Sequence, residues 1–192
     1  MEAATKRKIL TWIAIGVGCC ILTAGFWYLS FIGQFYPYRD DMYKFRIKFP
    51  RKWQYVVHPM PGGAFAVYKP FVAGQEGFRD TVNVSVQDLP ANIATIKDLT
   101  NTVLNQMKAV FNNLKVEISQ PAMLGERKAW MVVFSADKPD PMKILTVWTI
   151  RDAEKAYIVT YIARAGTYQE SLPLVEYMMK TFKTFNSVEG KK

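Results

Sequence analysis

An uncharged run from Ile9 to Gly33, twenty-five residues of aliphatic, small and aromatic side chains broken only by Thr11, Thr23 and Ser30, constrains this chain more than any other feature. As a helix rising 1.5 Å per residue it reaches about 37 Å, enough to cross a hydrocarbon core of about 30 Å with some tilt. The expected organisation follows from that run. Residues 1–8 form a tail, 9–33 a transmembrane helix, 34–42 a linker, 43–186 one folded domain and 187–192 a carboxy-terminal tail.

Lys6, Arg7 and Lys8 abut the run, as in an uncleaved signal-anchor that keeps its amino terminus in the cytoplasm. The domain is then expected outside, periplasmic or lumenal, at the cell membrane. Arg39, Lys44, Arg46, Lys48, Arg51 and Lys52 follow the run and blunt the charge asymmetry. A cleavable signal peptide would need a shorter apolar region, although Thr23-Ala24-Gly25 offers a small-x-small site. A lipoprotein signal would use Cys19, but the apolar segment continues past it. Trp27, Tyr28, Phe35, Tyr36 and Tyr38 cluster as rings do at a headgroup interface.

Both cysteines, Cys19 and Cys20, lie in the apolar run, so the domain has no disulfide and no thiolate nucleophile. The formal net charge of +9 divides into +2 on residues 1–8 and +7 on the rest. A basic domain on a tether points to an anionic lipid surface or an acidic partner in a membrane complex, and not to nucleic acid.

Tyr43 to Phe49 alternates apolar and basic residues, the pattern of a strand with one buried face and Lys44, Arg46 and Lys48 on the other. Further strands are expected at Gln54 to His58, Ala64 to Lys69 and Thr81 to Gln87. The period then changes from 2 to 3.6. Ile96, Leu99, Val103, Met107, Val110, Phe111 and Leu114 share one helical stripe, opened by Thr95 with Asp98 three residues on. A short strand at Val116 to Ser119 and longer ones at Lys128 to Ser135, Met142 to Arg151 and Lys155 to Ala163 form a meander, closed by a helix from Tyr168 to Phe182. Pro173 falls in the first turns of that helix, where proline is tolerated. The fold class is α+β, an antiparallel sheet covered by helices.

The segment Tyr43-x-Phe45-x-Ile47-x-Phe49-Pro50-x-x-Trp53 resembles the opening of the PsbP-like domains, named for the extrinsic protein of photosystem II. Asn83-Val84-Ser85-Val86, the strand Lys155 to Tyr161 and the closing Met179 to Phe185 fit the same family. The resemblance implies an αβα sandwich, a fold shared with a nuclear Ran-binding protein and bacterial periplasmic lipoproteins, and a function in binding. Lys52 departs from the pattern, standing where many members have glycine before the tryptophan.

No constellation of residues names a reaction. His58 is the one histidine, so a His/Cys zinc site cannot form in the domain. Gly62-Gly63 reads as a turn and lacks the lysine of a phosphate loop. Asp137, Asp140, Asp152 and Glu154 match no calcium loop, and Trp130 and Trp148 read as sheet packing. No cofactor or metal is expected and the chain is read as non-catalytic. The residues singled out for contact with a partner or the membrane surface are Lys44, Arg46, Lys48, Arg51 and Lys52. The principal expectation is an accessory or assembly protein of a membrane complex. The alternative is a small-ligand or lipid-binding domain with a cleft lined by Met107, Phe111, Met178 and Phe182.

Overall fold

Strands rich in Val, Ile and Tyr fill more than half of the described residues from Phe35 onward and pair into two sheets. A computed structural model describes residues 23, 25–71, 78–89, 93, 95–110, 114–136, 141–151 and 154–185, with Val110 described by its backbone alone. The chain divides into two units, Met1–Tyr36 and Pro37–Lys192. In the first, residues 25–32 are helical, Phe26, Trp27, Tyr28 and Leu29 are exposed, and the Phe31 and Phe35 rings meet edge-on at 5.4 Å. Residues 9–22 and Ala24 of the expected span lie outside the described residues. Among the described residues no helix is long and apolar enough to cross a membrane.

Strands β1 (Phe35–Asp40), β2 (Phe45–Pro50) and β10 (Lys183–Thr184) form a small sheet in the order β1-β2-β10. Strands β3 (Gln54–Met60), β4 (Gly63–Tyr68), β5 (Thr81–Asp88), β6 (Lys115–Leu124), β7 (Arg127–Ala136), β8 (Met142–Arg151) and β9 (Lys155–Arg164) form a large one, ordered β3-β4-β5-β9-β8-β7-β6. Every pairing in the large sheet is antiparallel, and its last four strands are the expected meander. The helices are α1 (Ile96–Val110) and α2 (Tyr168–Thr181).

The central strands are apolar on both faces because both faces are covered. From one side Leu99 and Val103 of α1 pack on Val132, Phe134, Ile144, Trp148 and Ile158. On the other, the rings of Tyr157, Phe45 of β2 and Phe182 meet one another, Phe45 stacking on Phe182 at 5.6 Å, while the Tyr161 ring stacks on Tyr168 of α2 at 5.2 Å. Helix α1 starts where the sequence places it. The Asp98 amide donates to Thr95 Oγ1 at 3.2 Å and the Thr95 amide to Asp98 Oδ2 at 3.1 Å, a reciprocal capping box. The Phe111 position of the stripe lies outside the described residues.

Two expectations are corrected, and one strand is added. The stretch 34–42, read as a linker, contains β1, whose Pro37 and aromatic residues hide its strand character. The short strand at Val116 to Ser119 runs as β6 over ten residues and through Pro121, tolerated because β6 is an edge strand. Strand β10 has no sequence signal of its own: its two residues are strand because Lys183 and Thr184 pair with Arg46 and Phe45.

Burial raises the phenol pKa of Tyr38, Tyr161 and Tyr168 above the ordinary value of 10, with Tyr168 pushed up to about 12. The folded chain therefore holds these protons after the unfolded chain has lost its own. Their contribution to stability is complete below about pH 10 and is lost as pH rises through the folded values. Urea midpoints measured from pH 8 to 11.5 should fall above pH 10, with phenolate absorbance of the native protein appearing late.

Candidate functional site

Alternation in β2 buries Phe45, Ile47 and Phe49 and leaves Arg46 and Lys48 exposed, as the sequence predicts. The adjoining turn presents Arg51 and Lys52. It closes through the Trp53 amide on the Pro50 carbonyl at 2.9 Å and buries Trp53. Lys52 is not among the residues with positive φ, so this turn forms without glycine.

Lys44 differs from its expectation. It precedes β2, with φ of 58° in the left-handed region, is half-buried, and its carbonyl accepts the Phe185 amide at 3.0 Å. Its place is set by the turn into the small sheet, one residue before β2 begins. The other four residues share β2 and its exit turn.

Asp40 organises the turn that leads into β2. Its buried carboxylate accepts the amides of Met42 at 3.0 Å and Tyr43 at 2.8 Å, and the Tyr38 hydroxyl at 3.0 Å. The same carboxylate meets His58 Nε2 at 3.1 Å. His58 sits at the irregularity of β3 with φ of 49°, an uncommon conformation for a histidine, which places its ring over the turn. Among the described residues no serine or threonine hydroxyl is hydrogen-bonded to it. Asp137, Asp140 and Asp152 lie outside the described residues, and no group of metal-ligating side chains occurs among the described ones.

Two cations that the sequence does not flag join Arg46. Lys183 of β10 lies directly opposite Arg46 in the register, and Arg127 opens β7 beside them. Arg127 Nε donates to Thr184 Oγ1 at 2.8 Å. Arg46, Glu126, Arg127 and Lys183 rim a depression of about 340 Å³ whose lining also includes the apolar Leu124 and Phe182. Glu126 pairs with Lys183, and that hydrogen bond, with the field of Lys183 and Arg46, holds its carboxyl below the usual carboxylate range. The depression carries three cations against one carboxylate. Positions 46, 127 and 183 are too far apart in sequence for spacing to unite them; the nearest local signal is the Gly125 turn that delivers Glu126 and Arg127.

Of the four side chains expected to line a ligand cleft, the three described ones do not share one. Met107 packs with the α1 core, whereas Met178 and Phe182 are buried on the α2 side of the sheet, and Phe111 is outside the described residues.

No protein-family model and no curated protein matches the sequence. Solved structures do match in fold. Cyanobacterial PsbP (CyanoP) of Synechocystis sp. PCC 6803 superposes with a TM-score of 0.61 at 13% identity, over 79% of this chain and 93% of that one. LpqN of Mycobacterium tuberculosis, described as involved in cell envelope biogenesis, gives 0.61 at 11% identity, over 79% of this chain and 86% of its own. The Ran-binding protein Mog1p of Saccharomyces cerevisiae gives 0.56 at 6% identity, over 78% and 95%. At these identities the likeness is one of fold, and the fold is PsbP-like.

Proposed function

We propose that this chain is a membrane-anchored, non-catalytic accessory protein. Its PsbP-like domain docks on a protein partner in a membrane complex through the cationic end of β2. The observation that carries the reading is the placement of Arg46, Lys48, Arg51 and Lys52 along one strand and its exit turn, backed by a buried aromatic face that holds the strand rigid. Fixed charges on a rigid element favour orientation and rapid encounter with an acidic partner. The apolar run from Ile9 to Gly33, with exposed Phe26, Trp27, Tyr28 and Leu29 near its end, supports the anchor, and Lys6 to Lys8 support a cytoplasmic amino terminus with the domain outside. Partner binding is in keeping with the fold, since one neighbour is a Ran-binding protein. The His58–Asp40 pair is a structural tie in this reading.

The test is affinity purification of the tagged full-length chain from detergent-solubilised membranes, beside a Lys48→Glu, Arg51→Glu, Lys52→Glu variant. A stoichiometric partner should co-purify with the wild type and fall by about tenfold or more in the variant, because opposed charges become like charges. Equal recovery from both forms would remove this face from the interface.

A further inference from the structure

We propose that the depression between β2, β10 and the β6–β7 turn is a binding site for a phosphomonoester dianion. In the β2–β10 register Arg46 stands directly opposite Lys183, an arrangement of like charges that destabilises a strand pair unless something answers it. Glu126 forms its ion pair with Lys183 and meets Arg46 only through its field, so one carboxylate faces both cations. Among the described residues the Arg46 side chain has no ion pair and no hydrogen bond, and Arg127 adds a third positive charge at the same rim.

Three cations against one carboxylate leave a charge of +2, which a phosphomonoester of charge about −1.5 to −2 would balance. Guanidinium groups suit the task, since their planar forks bind phosphate oxygens in pairs. Arg127 is already positioned by Thr184 Oγ1, so it need not be ordered on binding. Leu124 and Phe182 are fully buried and form the floor beneath a polar rim, and about 340 Å³ exceeds what a bare phosphate needs, which leaves room for the organic part of a small ester. A local rule is broken here at a cost in stability, as is usual at functional sites.

The site shares Arg46 with the proposed docking face, but the charge-reversal variant above leaves Arg46, Arg127 and Lys183 unchanged, so the two readings fail separately. The experiment is calorimetric titration of the full-length chain in a nonionic detergent with inorganic phosphate, dihexanoyl phosphatidic acid and succinate, repeated on Arg46→Gln. Saturable binding of phosphate or phosphatidic acid is expected, weaker by about tenfold in the variant. Equal affinity for the two would identify the phosphate group alone as ligand, and tighter binding of phosphatidic acid would identify a lipid headgroup. The unliganded variant should unfold at the same or a higher temperature, since a like-charge pair has been relieved. Absence of saturable binding, binding that Arg46→Gln leaves unchanged, or a preference for succinate would overturn the assignment.

Discussion

Gly125→Ala should lower the unfolding free energy by more than about 3 kcal/mol, the sum of a left-handed backbone penalty and an overlap that packed backbone cannot relieve. Gly125 is the first residue of the two-residue loop joining β6 and β7, with φ of 59°. Its amide donates to the Met179 carbonyl at 2.9 Å, which locks the loop against the end of α2. A Cβ built there would lie 1.8 Å from the Phe182 carbonyl oxygen, far inside contact distance. Either the loop or the exit of α2 must move. Since Leu124, Phe182 and the pairing of β10 with β2 are all nearby, the damage should reach the small sheet. Gly62→Ala is the control: φ is 79° but nothing lies within 4 Å of its Cβ, so the cost should be only about 1 kcal/mol. Urea denaturation of both variants measures the difference.

Trp148→Ala should cost about 4 kcal/mol, the usual range for deleting a large buried aromatic side chain. Trp148 is fully buried between α1 and the centre of the large sheet, and its Nε1 donates to Thr100 Oγ1 at 3.1 Å. Thr100 in turn donates to the Ile96 carbonyl at 2.7 Å, so the indole is tied to the first turn of α1. Trp148→Phe keeps much of the packing and loses the hydrogen bond, at a cost of about 1–2 kcal/mol. Hydrogen exchange should localise the difference. In Trp148→Ala the amides of α1 should open far more readily than those of α2, which packs on the opposite face.

Where one segment carries its own periodicity, the sequence was sufficient. The alternation of Phe45, Ile47 and Phe49 and the stripe through Leu99 and Val103 each report a single buried face, and the Thr95–Asp98 box marks a helix start by chemistry local to four residues. Features decided by distant segments were not legible. Two residues cannot express a period, so β10 exists only through its register with β2. Lys44 fits the alternating pattern perfectly, yet the turn held by Asp40 and the Phe185 amide places it in a left-handed conformation.

The candidate site divides in the same way. Arg46, Lys48, Arg51 and Lys52 are neighbours in sequence and remain neighbours in space, so their grouping was visible. Arg127 and Lys183 reach Arg46 only because the Gly125 loop seats on the end of α2 and the chain leaving α2 turns back along β2. That convergence is a property of packing, and no spacing rule encodes it.

Photocrosslinking in intact cells tests whether the cationic end of β2 docks on a protein partner in a membrane complex. A photoreactive residue would replace Lys48 and, in a separate chain, Lys97, which is exposed on α1. Docking through β2 should give one dominant protein adduct from position 48, retained in membrane fractions, and none of that mass from position 97. The same adducts from both positions, or none from position 48 while position 97 captures a protein, would contradict it.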